Sequence, residues 1–144
     1  MYSEFLIFHS ILRWMLLLSL AITLVKYIVG WMGNHPWNKT DNILGVVFTS
    51  LMDLQLLSGL VLYFFLSPVT KLALSDFGAA MKNADLRFYA VEHFSMMLIA
   101  VVLVHIGRAK SKKAKSDRRK FKIASIFFLI ALILILASIP WDKV

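Results

Sequence analysis

Four stretches of this chain, 5–30, 43–66, 88–106 and 123–139, are almost wholly apolar. Each is close to the roughly 20 residues that a helix needs to cross a bilayer. A segment in hydrocarbon has no water to satisfy its amide groups, so it must close its hydrogen bonds internally, as a helix. Four such runs within 144 residues leave only short connections. That predicts one all-α domain over 1–144, an integral membrane four-helix bundle. The 60% hydrophobic content is far above that of a soluble protein and agrees with this reading. The first run is too long for a signal-peptide core and lacks a small-residue cleavage site after it, so it is expected to remain as a span.

The formal net charge of +8 is concentrated rather than spread. Nine basic residues and one acid lie between Arg108 and Lys122, in the segment joining the third and fourth runs. Phe121 alone interleaves them, between Lys120 and Lys122, and no nucleic-acid-binding motif is present, so nucleic acid is not expected as a partner. Lys- and Arg-rich loops mark the cytoplasmic side of a membrane protein. This one sets an orientation: loop 108–122 cytoplasmic and both termini outside. Contact with anionic lipid follows from the same charge. Cysteine is absent, which excludes disulfides, thiolate metal sites and covalently attached haem.

Against this apolar background the ionisable residues inside the runs stand out. The first run carries His9 and Arg13, the second Asp53 and Gln55, the third Glu92, His93 and His105. The fourth has only Ser125 and Ser138. A charged group at mid-depth costs about 2.5 kcal/mol or more, so such residues usually face a bundle interior. Helical rise puts Arg13 and Asp53 at about the same depth, which predicts an Arg13–Asp53 pair with Glu92 as the competing partner. Lys26, near the other end of the first run, is expected to snorkel to the interface. In the loop after Pro68, Asp76 is expected to cap a short surface helix reaching to Asn83.

The first and third runs point the same way, and His9 and His93 fall within about 2 Å of one another in depth. Two imidazoles at one level on neighbouring helices are an arrangement that clamps a porphyrin iron, giving a non-covalent haem b. Arg13 then stands near a propionate, and Met96 and Met97 line the ring. Two other readings stay open. One is an inert structural polar cluster including Asp53, Gln55 and Glu92; the other is a divalent-metal site from His9, Asp53, Glu92 and His93. His105 is twelve residues from His93, which turns it by about 120° off that face, so a second haem is not expected. Nucleophile elbows, phosphate loops and zinc-protease motifs are absent, so no stand-alone enzyme is indicated. A bound quinone is compatible with Arg13, Asp53, Gln55 and Glu92 beside an apolar cleft.

Three motifs carry a resemblance: H-S-x-L-R-W at His9–Trp14, Q-L-L-x-G-L-x-L-Y at Gln55–Tyr63, and R-F-Y-x-V-E-H-x-x-M-M at Arg87–Met97. With the closing I-P-W at Ile139–Trp141, the chain resembles short bacterial four-helix membrane proteins labelled cytochrome B or cytochrome b-like. The resemblance implies a haem b protein of a bacterial respiratory (inner) membrane, its outside termini then periplasmic, with His9 and His93 at the motif histidines. At the position of Asp53 such proteins can carry a histidine, which this chain replaces with a carboxylate. The function expected is quinone-linked electron transfer as a small membrane protein or subunit. The alternative is a cofactor-free accessory or assembly subunit of a larger membrane complex, or a homo-oligomer, in which the polar residues fix helix packing.

Overall fold

The computed structural model describes residues 1–143; Val144, the last residue of the domain expected from sequence, lies outside the described residues. Helix α1 (Tyr2–Met32) is followed by α2 (Lys39–Val61), which runs on into a π-helical turn, Leu62–Leu66. Three short helices follow: α3 (Pro68–Ser75), α4 (Phe77–Ala80) and α5 (Ala84–Arg87). A second π turn, Phe88–Glu92, leads into α6 (His93–Lys113), and α7 (Asp117–Ser138) ends the bundle. Four of these segments are long and apolar enough to cross a membrane: Tyr2–Met32, Lys39–Leu66, Ala84–Lys113 and Asp117–Ser138. The chain is an all-α four-helix membrane bundle, and its exposed apolar side chains face the acyl chains of the bilayer.

Each long helix packs on two others, so the bundle closes as a ring in the order α1, α2, α6, α7. Helices α1 and α6 therefore oppose each other across a diagonal. Chain neighbours run antiparallel, with α1 meeting α2 at His9–Ser58 near one end and at Tyr27–Asp41 near the other. One end of the bundle holds the start of α1 and the end of α7; the other holds the basic run. At this basic end Tyr27, Trp37 and Phe121 pack together, with ring centroids 5.1 Å (Tyr27–Trp37) and 4.9 Å (Trp37–Phe121) apart. Trp37, in the connection between α1 and α2, folds back into this cluster. The turn that allows it passes through Asn34 at φ 55°, a left-handed conformation that asparagine tolerates well.

The basic segment is less of a loop than its composition suggests. Helix α6 runs on to Lys113 and α7 starts at Asp117, leaving only 114–116 between them. Lysine and arginine are good helix formers, and their long side chains carry the charge out to water while the backbone stays helical. Ser116 caps α7 by accepting from the Arg119 amide at 3.2 Å. Ser111 donates to the Lys120 carbonyl at 2.8 Å, tying the two helices together below the turn.

Asp76 does cap a surface helix, accepting from the Ala79 amide at 3.2 Å. That helix stops at Ala80, and Asn83 caps a separate one by accepting from the amides of Asp85 and Leu86. Ser67 and Pro68 start α3 in the same loop, a cap followed by proline at the first helical position.

Lys26 does not simply reach for water. It forms an ion pair with Asp41 at 2.7 Å, and the Asp41 side chain is fully buried. Asp41 also completes a capping box with Asn38 at the start of α2: the Asn38 amide donates to Asp41 Oδ2, and Asn38 Oδ1 accepts from the Asp41 amide.

Helices α6 and α7 approach closely because Gly107 faces Phe127; a Cβ there would overlap the Phe127 side chain. Gly107→Ala is expected to force the helices apart and to destabilise the bundle by about 1–3 kcal/mol, as overpacking does. Gly78→Ala, whose Cβ would meet nothing nearer than Asp76 Oδ1 at 3.9 Å, is the control. Reversible unfolding in mixed detergent micelles reads both; equal midpoints would contradict the close-contact assignment.

Candidate functional site

The half of the bundle near the start of α1 holds the polar groups. His9, about two turns into α1 and partly buried, is gripped by α2. Its Nδ1 lies 2.7 Å from Ser58 Oγ, and Ser58 in turn donates to the Gln55 carbonyl at 2.9 Å. The Ser58 hydroxyl has only one hydrogen, and that is spent on the carbonyl. Its oxygen must accept from His9, so His9 is protonated on Nδ1 and carries its lone pair on Nε2. Gln55 holds the backbone as well, donating to the His9 carbonyl at 3.0 Å, with its Nε2 3.4 Å from His9 Nε2. Gly59 makes room for the ring: a Cβ there would sit 3.3 Å from His9 Cε1.

His93 is the first residue of α6 after the π turn Phe88–Glu92. Its Nδ1 lies 2.7 Å from the Ser138 carbonyl at the end of α7. A carbonyl only accepts, so His93 too is protonated on Nδ1 with its lone pair on Nε2. Both histidines thus present the same nitrogen.

His9 and His93 come from helices on opposite corners of the ring, and they lie within electrostatic reach of one another and of Arg13. Among the described residues none of the three is paired with a carboxylate. Arg13 has its guanidinium over the Trp14 ring at 5.2 Å, and its Nε is buried without a hydrogen-bond partner. Gln55 Oε1 is likewise buried and unpartnered. The arrangement is three basic groups with two orphaned polar atoms and no anion.

The two π turns flank this level. Tyr63, in the first, donates to the Ala90 carbonyl in the second at 2.7 Å, and its ring stacks on Phe94 at 4.3 Å. An added residue in a helical turn rotates everything after it, and such turns recur at functional sites. No sequence signal marks either one.

The expected pairing of Arg13 with Asp53 or Glu92 is not what the chain adopts. Asp53 lies 2.6 Å from His105, and Glu92 accepts from Arg87 at 2.7 Å. Depth was matched, but direction was not. From Asp53, Gln55 is turned by about 200° and Ser58 by about 140° around α2. When those two face α1, Asp53 faces α6. The cluster of Asp53, Gln55 and Glu92 is therefore divided among three partners: His105, His9 and Arg87. The same division leaves no group of three or more metal-ligating His or acidic side chains among the described residues, which removes the four-ligand divalent site.

Compared with protein-family models, curated proteins and solved structures, the chain finds no match.

Proposed function

We propose that this protein is a small haem b protein of a bacterial inner membrane, taking part in quinone-linked respiratory electron transfer. The observation that supports this most directly is the shared tautomer of His9 and His93. An imidazole binds iron through one nitrogen and is fixed by a hydrogen bond from the other. Both histidines have that second bond already made, His9 to Ser58 and His93 to the Ser138 carbonyl. Their Nε2 atoms belong to helices facing each other across the bundle, and the Gln55 amide, 3.4 Å from His9 Nε2, would turn aside for iron. Donor chemistry fits as well: two neutral imidazoles suit haem iron, and among the described residues no third ligand joins them to favour a divalent ion.

Arg13 supplies the other half of the fit. A half-buried guanidinium whose Nε is buried and unpartnered, with no carboxylate in contact, is suited to a porphyrin propionate. Bound haem would be held by His9 and His93, with Arg13 beside a propionate, and would contribute a one-electron Fe(III)/Fe(II) couple. The protein's own work is to orient the two rings, neutralise the propionate and keep water away. With the Lys- and Arg-rich end on the cytoplasmic side, this site stands towards the periplasm. The motifs at His9–Trp14 and Arg87–Met97, which resemble those of cytochrome b-like proteins, fall on the residues that build it.

Titration of haemin into the detergent-purified protein tests this reading. One equivalent is expected to saturate, giving a low-spin spectrum. Ser58→Ala leaves His9 Nδ1–H without its acceptor and should weaken haem affinity by about 10–100-fold, as loss of a ligand's outer partner does. Absorbance that rises without saturating, or a Ser58→Ala affinity equal to the parent, would contradict the proposal.

A further inference from the structure

The Asp53–His105 pair belongs to no site described so far. Its side chains are 50% and 48% exposed, on the outer surface of the α2–α6 seam. The helices are joined by Tyr63 and Ala90 towards one end of this seam and by Asn42 and Arg108 towards the other. Asp53 lies eleven residues along α2 from Asn42, which is about 16 Å at helical rise. In hydrocarbon about 30 Å thick that is near the middle. Two ionisable groups are thus half open to lipid at a depth where such groups are expensive and usually turned inward.

The chemistry of the pair defines what it needs. Net charge is strongly disfavoured in hydrocarbon, so the pair holds one proton for its two sites and is neutral as a unit. With that proton inside the 2.6 Å bond, on either His105 Nε2 or Asp53 Oδ1, Nδ1 carries a hydrogen and Oδ2 accepts. Among the described residues nothing bonds to His105 Nδ1 or to Asp53 Oδ2. One donor and one acceptor of this half-exposed pair are therefore unused. Around them the surface is apolar. Leu57 shares the Asp53 face one turn on, and Val102 the His105 face one turn back; both are well exposed.

Phospholipid esters and headgroups stay at the interface. A lipid-soluble quinone carries an oxygen-bearing ring into the hydrocarbon itself. We propose that Asp53 and His105 form a binding site for the ring of a membrane-dissolved quinone. The quinone carbonyl accepts from His105 Nδ1–H; in the reduced form the hydroxyl donates to Asp53 Oδ2. The ring lies against Leu57 and Val102. The step is hydrogen-bonded recognition, with no covalent bond made or broken. Choosing a redox lipid rests on the electron-carrier reading; the unmet donor and acceptor do not.

The test is binding of decylbenzoquinone to the full-length protein in nanodiscs, with decylbenzene as an apolar probe of the same tail that lacks ring oxygens. Asp53→Leu and His105→Phe keep the seam apolar and are checked for helicity and thermal unfolding. Saturable quinone binding is expected, weakened at least tenfold in each variant and absent for decylbenzene. Equal binding by parent and variants, or equal uptake of both probes, would overturn the site. So would cross-linking across the seam showing that a second protein chain covers the pair. Haem is not needed for the readout. A colourless protein that binds quinone through the pair would contradict only the haem reading, and a haem-loaded protein without saturable binding only this one.

Discussion

Replacing His93 with alanine is expected to yield a folded protein that no longer takes up haem. The side chain makes one hydrogen bond, to the Ser138 carbonyl at the end of α7. Ser138 is the last residue of its helix, so its carbonyl has no helical partner to begin with, and losing this bond costs about 0.5–1.5 kcal/mol. The bundle should tolerate that. Haem binding should not, because iron would keep one protein ligand of two. His9→Ala should behave alike, and the double variant little worse than either, since the ligands act as a unit. The reduced minus oxidised difference spectrum of each variant checks this. A normal low-spin spectrum in His93→Ala would remove His93 from the iron.

Asp41→Leu is expected to give the largest loss of stability in the chain. Asp41 is fully buried, and its carboxylate accepts from Lys26 on one oxygen and from the Asn38 amide on the other. Removing it strands the Lys26 ammonium and undoes the capping box of α2. Breaking a buried pair costs about 3–5 kcal/mol. The lower part of that range applies, because Lys26 is 34% exposed and can shift towards water. The lost cap adds about 1 kcal/mol. Tyr27, which donates to the Asp41 carbonyl at 2.6 Å, would lose a firm backbone partner as α2 frays. Lys26→Met in the same background should recover part of the loss by removing the stranded charge. Unfolding midpoints of the single and double variants measure this; a double variant no more stable than Asp41→Leu would contradict the buried-pair account.

The four spans were legible from apolar run length alone, because hydrocarbon allows little besides a helix. The loop cap at Asp76 was legible for a local reason, since a cap depends on only the next three residues. Pairings between helices were another matter. Rise gives depth, and depth suggested Arg13 with Asp53; azimuth decides contact, and the sequence does not state how each helix is rotated. The turn of about 160° that separates the Gln55–Ser58 face from that of Asp53 becomes decisive only when α1 is known to lie on the former. Once it does, Asp53 must look to α6 and find His105. Lys26–Asp41 is not legible because Asp41 lies outside the apolar runs, and the pair closes only after the chain has reversed through Asn34. The π turns before His93 and after Ser58 leave no compositional trace.

The central claim is that His9 and His93 hold one haem b between α1 and α6. The most direct test is the visible spectrum of the protein expressed with ample haem and purified in detergent, first oxidised and then reduced with dithionite. A Soret band with sharp reduced α and β bands, lost in both His9→Ala and His93→Ala, is the predicted result. A colourless protein would contradict the claim and move the function to a cofactor-free accessory subunit of a larger membrane complex.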